Sequence, residues 1–133
     1  MEKGQLVLCD TNIIIELYKE TLEILDSLQT IGQANIALSV ITAGELLYGA
    51  LNKKELTQIN KDIDHLEIKH ITPAVGESFI ELMGRYTLSH NLSLPDGLIA
   101  ATAITEDIPL YTLNQKDFKY IKGLKLYKPD GRS

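Results

Sequence analysis

The chain has 133 residues, 44% of them hydrophobic and 23% charged, with a formal net charge of −5. That is length enough for one domain with a real core, and the composition excludes collagen, disordered and disulfide-scaffold classes. A single cysteine, no apolar stretch near the roughly 20 residues of a bilayer span, and too short an N-terminal apolar run for a signal peptide make a reducing cytoplasm the expected compartment, with no membrane partner.

Gln5 to Cys9 is a short apolar run ended by Asp10, as in a buried strand. From Thr11 to Lys19, Ile14, Leu17 and Tyr18 recur at helical spacing, and Leu22, Leu25 and Leu28 continue the pattern. Gly32 punctuates, and NIALSV (35–40) reads as a second strand. Thr42 begins a helix with Leu46, Leu47, Ala50 and Leu51 on one side. A polar helix follows over Lys53 to Asp64, then a third strand, EIKHI (67–71). Pro73 opens a helix with Val75, Phe79, Leu82, Met83 and Tyr86 inward. In SLPDGLIAATAITED (93–107), Pro95 occupies the first turn, where its missing N–H does no harm. Ala100, Ala101 and Ala103 give that helix a smooth face for close packing. PLYT (109–112) and LKLY (124–127) supply a fourth and a fifth strand. Strands alternating with helices predict a three-layer α/β/α sandwich with a mostly parallel sheet of about five strands, one domain over residues 1–133.

Polar residues fall where this topology collects ligands, beyond the carboxyl ends of the strands. Asp10 ends strand one inside an oily run, where a carboxylate costs several kcal/mol unless paired, protonated or metal-bound. Glu45 lies in the first turn of the helix after strand two, Asp96 opens the helix before strand four, and Asn114 and Asp117 follow strand four. Singly, each suits a helix cap, a helix dipole or a turn. Together they converge. Two carboxylates about 4 Å apart repel by roughly 4 kcal/mol at an effective dielectric of 20, so a cation belongs between them. Hard oxygen donors select Mg²⁺ or Mn²⁺, and the absence of paired cysteines or closely spaced histidines argues against zinc. Such an ion activates water and stabilises charge on a phosphoryl group, the chemistry of phosphodiester hydrolysis.

CDTNIIIEL (9–17), SVITAGELLYGA (39–50), LPDGLIAATAI (94–104) and YTLNQKDF (111–118) together resemble the PIN-domain ribonucleases, most closely the VapC-type toxins of prokaryotic toxin–antitoxin pairs. The match keeps the family's order and spacing over residues 5 to 127. The resemblance implies a Mg²⁺-dependent endoribonuclease (Mn²⁺ substituting) that cuts RNA, blocked by a VapB-like antitoxin protein, and a homodimer. By position, Asp10, Glu45 and Asp96 match the three acidic metal-site residues, and Asn12 the polar residue that orients the first aspartate. Thr112 and Asn114 match the polar pair after strand four. Many relatives carry a fourth acid there; here Asn114 stands eighteen residues after Asp96 and the nearest acid is Asp117. Hydrolysis would then use Asp10 and Asp96 to hold the ion, with Glu45 as a ligand or positioning the attacking water.

Other positions have plainer readings. Gly44 and Gly97 either permit close approach beside the acids or simply pack. Tyr48 reads as core, Cys9 as a small buried hydrophobe, and His65, His70 and His90, in no ligand spacing, as surface or satisfied residues. Lys116, Lys119, Lys122, Lys125, Lys128 and Arg132 hold six of the thirteen basic residues, opposed in that segment only by Asp117 and Asp130. This edge is either solvated or placed to meet a nucleic-acid backbone. Two rival functions stay open: a catalytically silent binding or assembly module, and a phosphoryl-transfer protein phosphorylated on Asp10. The second lacks another aspartate two positions on, where Asn12 stands.

Overall fold

The computed structural model describes residues 4–129, so Asp130 and Arg132 of the basic segment lie outside the described residues. Four parallel strands, β1 (Val7–Cys9), β2 (Ile36–Ser39), β3 (Glu67–Lys69) and β4 (Leu110–Tyr111), form one sheet in the order β3-β2-β1-β4. Around it stand α1 (Thr11–Tyr18), α2 (Leu22–Ile31), α3 (Val40–Tyr48), α4 (Lys53–Asp64), α5 (Pro73–His90) and α6 (Leu94–Glu106).

Strand periodicity of two builds the layers. Val7 and Cys9 of β1, Ile36 and Leu38 of β2 and Tyr111 of β4 face one way, against Ile13 and Ile14 of α1, Ile24 and Leu28 of α2 and Leu46 of α3. The alternate residues Leu8, Ala37 and Leu110 face the other way, onto Val75, Leu82 and Tyr86 of α5 and Ile99, Ala100, Ala101 and Ala103 of α6. Each large side chain so buried contributes about 1.5–3 kcal/mol. The α/β/α sandwich expected from the sequence is therefore present.

The alanine face of α6 works as expected. It carries α5 close enough that a Cβ on Gly97 would lie 2.7 Å from Met83 Sδ and 3.2 Å from a Phe79 ring carbon, so Gly97 is a packing glycine. Gly44 has nothing within 4 Å of such a Cβ.

Four expectations need correction. The helix predicted to run on from Thr11 is two helices, because Glu20 takes a left-handed conformation (φ 59°) that turns the chain between α1 and α2. Leu22, at the start of α2, is 80% exposed. Next, α3 begins at Val40, before Thr42, because Ser39 caps it by accepting the Thr42 N–H at 3.2 Å. At its other end α3 stops at Tyr48, capped by the Gly49 N–H on Glu45 O and Leu47 O, leaving Ala50 and Leu51 outside it, and Tyr48 is 94% exposed and not core. Lastly, the fifth strand shrinks to a single parallel bridge, Leu110 with Leu126. The backbone bonds Leu110 N–H to Lys125 O (2.9 Å) and Tyr127 N–H to Leu110 O (2.8 Å) hold that segment to β4.

Candidate active site

The sheet changes direction of growth at β1: β2 and β3 lie on one side of it and β4 on the other. Such a switch point is where open α/β sheets bind ligands, and Asp10 and Thr112 are the first residues past β1 and β4. The Asp10 N–H donates to Tyr111 O at 2.9 Å, which clamps the two strand ends together.

Asp10 is only 6% exposed. Its Oδ1 accepts the Thr11 N–H at 2.8 Å, so it does cap α1, and its Oδ2 accepts from the Thr112 hydroxyl at 2.8 Å. The Asn12 amide lies 3.4 Å from both Asp10 Oδ2 and Thr112 Oγ1, at the limit of a hydrogen bond. Asn12 is held more firmly through its own oxygen, which accepts the Leu113 N–H at 3.2 Å. Thr112 Oγ1 in turn accepts the Asn114 N–H at 3.0 Å. Asn114 thus serves this network through its backbone, and its exposed side chain stands apart from Asp10.

Glu45 sits in the second turn of α3, not in the first as expected, because Ser39 caps the helix and starts it at Val40; a helix-dipole role therefore does not account for it. Its Oε1 accepts from the Thr11 hydroxyl at 2.6 Å, a bond between residues 34 positions apart. Thr11 Oγ1 also lies 3.3 Å from the hydroxyl of Thr42, which is fully buried and itself 3.3 Å from Ser39 Oγ. Sequence reasoning missed this hydroxyl chain. Its signals were present: Thr11 stands between Asp10 and Asn12, and Thr42 stands three residues before Glu45, on the same helix face.

Asp96 is the third residue of α6; its N–H donates to the cap residue Ser93 at 3.2 Å. Burial, then the charges of Asp10, Asp117 and Glu45, push its carboxyl up to about 6. Burial also raises Asp10, assisted by the charges of Glu45 and Asp117 and opposed by the bonds from Thr112 and Thr11. The four acids therefore share one field, and no basic side chain relieves Asp10 or Asp96 among the described residues. Asp117, in the one-turn 3₁₀ helix Gln115–Asp117, also lines a cleft of about 290 Å³ with Asp96. Beside Asp10, Cys9 is fully buried with its thiol pushed up to about 12, which makes it a packing residue. His65, His70 and His90 are exposed.

Among the described residues, no three His, Cys, Asp or Glu side chains stand close enough to enclose an ion by themselves. That arrangement suits a hydrated hard cation, since Mg²⁺ keeps several waters and takes one or two carboxylates. The donor set, all carboxylate oxygens with Asp10 and Asp96 held by burial and neighbouring charge against ionising, fits such an ion.

The profile of the PIN-domain family matches residues 7–124. The chain belongs to the PIN-domain family. Among curated relatives of this PIN domain, Ribonuclease VapC1 of Methanocaldococcus jannaschii is 30% identical over 125 residues, 91% of this chain and 86% of that protein. Ribonuclease VapC10 of Mycobacterium tuberculosis is 33% identical over 91 residues, 68% of each chain. Among solved structures, a toxin–antitoxin complex from Klebsiella pneumoniae superposes with a TM-score of 0.77 at 30% identity, covering 92% of this chain and 97% of that one.

Proposed function

We propose that this PIN domain is a metal-dependent endoribonuclease, the toxin of a toxin–antitoxin pair. The observation that carries the reading is the electrostatic one: at the switch point of the sheet, burial and the neighbouring charges of Glu45 and Asp117 raise the cost of ionising both Asp10 and Asp96, and no basic residue offsets it among the described residues. Similarity to proteins named VapC ribonucleases, over 91% of this chain for one and 68% for another, supports the substrate class.

Asp10 and Asp96 would hold a Mg²⁺ or Mn²⁺ ion, with Glu45 beside them and Asp117 as the fourth acid in place of Asn114. When bound, that ion supplies charge to a phosphoryl oxygen and acidity to a water. The chain's own residues do the rest. Thr112 and the α1 N-terminus fix both oxygens of Asp10 in direction, and Thr11 fixes Glu45. The rival role for Asp10 as a phosphoryl acceptor fits poorly, because its carboxylate is buried and both oxygens are engaged.

An antitoxin has a place to dock. A groove of about 660 Å³ between α1, α3 and α4 is lined by Ile15, Tyr18, Leu46, Leu51 and Ile59, with Glu45 at its margin. A partner filling it would reach the acidic site. A larger cleft of about 780 Å³ between α1, α2 and α4 contains none of the four acids. No helix among the described residues is long and apolar enough to cross a membrane.

The test pairs two readouts. Mn²⁺ should raise the melting temperature of the wild type, the rise growing with the logarithm of its concentration above the dissociation constant, and Asp10→Asn should abolish the rise. Expression of the wild type should arrest growth with cleaved RNA, and Asp96→Asn should do neither. Equal toxicity of the two would end the toxin reading.

A further inference from the structure

We propose that the cleft beside Asp96 is a nucleotide subsite, in which a base of single-stranded RNA stacks on the His90–Tyr120 pair while Lys116 meets a neighbouring phosphate. The proposal rests on the ribonuclease reading and names where the strand next to the cleaved bond lies. Asp96 and Asp117 form part of the cleft's lining, and His90, Lys116 and Tyr120 are among the other residues that line it. The lining is therefore acidic in one part, which belongs to the reaction, and aromatic and basic in another.

The aromatic part is built, not incidental. The imidazole of His90 and the phenol ring of Tyr120 stack with centroids 3.9 Å apart and planes 7° from parallel. Tyr86, buried in the core, meets both edge-on, at 5.7 Å and 76° for His90 and 5.1 Å and 69° for Tyr120. The Tyr86 hydroxyl accepts the Lys122 N–H at 3.1 Å, which ties the loop carrying Tyr120 to α5. Ser89 Oγ lies 2.8 Å from His90 Nδ1 and fixes the ring's rotation. Tyr120 is half-buried, yet His90 is exposed at the last residue of α5. A pair serving only the core would bury the outer ring.

An exposed, pre-oriented ring is what single-stranded RNA uses, since every base has a face to stack and sequence tolerance follows. Lys116 is exposed and makes no ion pair among the described residues, so its ammonium is available to a phosphate. Lys125, by contrast, is spent on Asp107 at 3.0 Å.

The experiment is fluorescence anisotropy with 5′-labelled 2′-O-methyl oligo(A), oligo(U) and an abasic strand of equal length, in Ca²⁺. His90→Ala should weaken both base-bearing strands about 5-fold or more, the low end of what one lost stack costs, and leave the abasic strand unchanged. His90→Phe should retain wild-type affinity. Lys116→Ala should weaken all three strands alike and reduce the salt dependence by about one phosphate. Because His90 is exposed, its substitution leaves the fold intact, which a melting curve checks. Wild-type affinity in His90→Ala, or equal losses on base-bearing and abasic strands, overturns the inference. Cleavage of RNA by the wild type, measured in parallel, separates the two claims. Cleavage without a His90 effect overturns the subsite alone, whereas base-dependent binding through His90 without cleavage overturns the ribonuclease reading alone. Absence of any strand binding by the wild type overturns the subsite.

Discussion

Replacing Thr112 with valine removes one oxygen from a site with almost no solvent. Thr112 is 3% exposed and its hydroxyl donates to Asp10 Oδ2 at 2.8 Å, so valine fills the volume but leaves a buried carboxylate short of a donor. A hydrogen bond to a charged group contributes about 1.5–3 kcal/mol, and water cannot easily replace it here. The Asn114 N–H also loses its acceptor, but Asn114 is exposed and water can take that place. Thr112→Val should therefore destabilise the metal-free protein by about 1.5–3 kcal/mol, read by urea denaturation in EDTA at neutral pH. In an Asp10→Asn background the bond becomes neutral, and the same change should cost only about 1 kcal/mol. The difference is the coupling between the hydroxyl and the charge. A cost below about 0.5 kcal/mol, or the same cost in both backgrounds, would refute the claim that Thr112 holds the Asp10 charge.

Two further outcomes follow from the same geometry. Folding raises the Asp96 carboxyl from 3.8 to about 6, so between those values the folded chain keeps a proton that the unfolded chain has released. Metal-free stability should accordingly fall as pH rises through that window, by about 1–2 kcal/mol for a half-exposed group after screening by solvent. Denaturation midpoints of wild type and Asp96→Asn in EDTA across the window check this, and an identical pH dependence in both would contradict it. In the core, Gly97→Ala should cost about 1–3 kcal/mol, because its Cβ meets Met83 and Phe79, whereas Gly44→Ala should be neutral or stabilising by up to about 1 kcal/mol. Thermal melts of the two variants moving in the same direction would count against the packing described for α5 and α6.

Local pattern was enough for much of this protein. Gln5 to Cys9 and Asn35 to Val40, which contain the strands Val7–Cys9 and Ile36–Ser39, read as strands from their own apolar runs, and Pro95 announces a helix start by chemistry confined to one turn. The positions of Asp10 and Asp96 at element ends followed from the same local signals. The sequence by itself therefore determined the alternation of elements, the parallel sheet and the edge at which the acids collect.

Tertiary structure decided what depends on residues far apart in the chain. Tyr48 looked like core, but α3 starts at Val40 and its last residue, Tyr48, is exposed to solvent. The pairing of Thr11 with Glu45, and of Thr112 with Asp10 across 102 positions, exists only once β1, β4 and α3 are side by side. Asp117 lines one cleft with Asp96, and the exposed side chain of Asn114 is not part of that lining, because the one-turn helix at Gln115 carries the chain around. His90, read as a surface or satisfied residue, gains its stacked partner from a loop thirty positions on. The physical reason is common to all four. Helix and strand signals come from interactions within a few residues, whereas a site is made of contacts whose partners only packing selects.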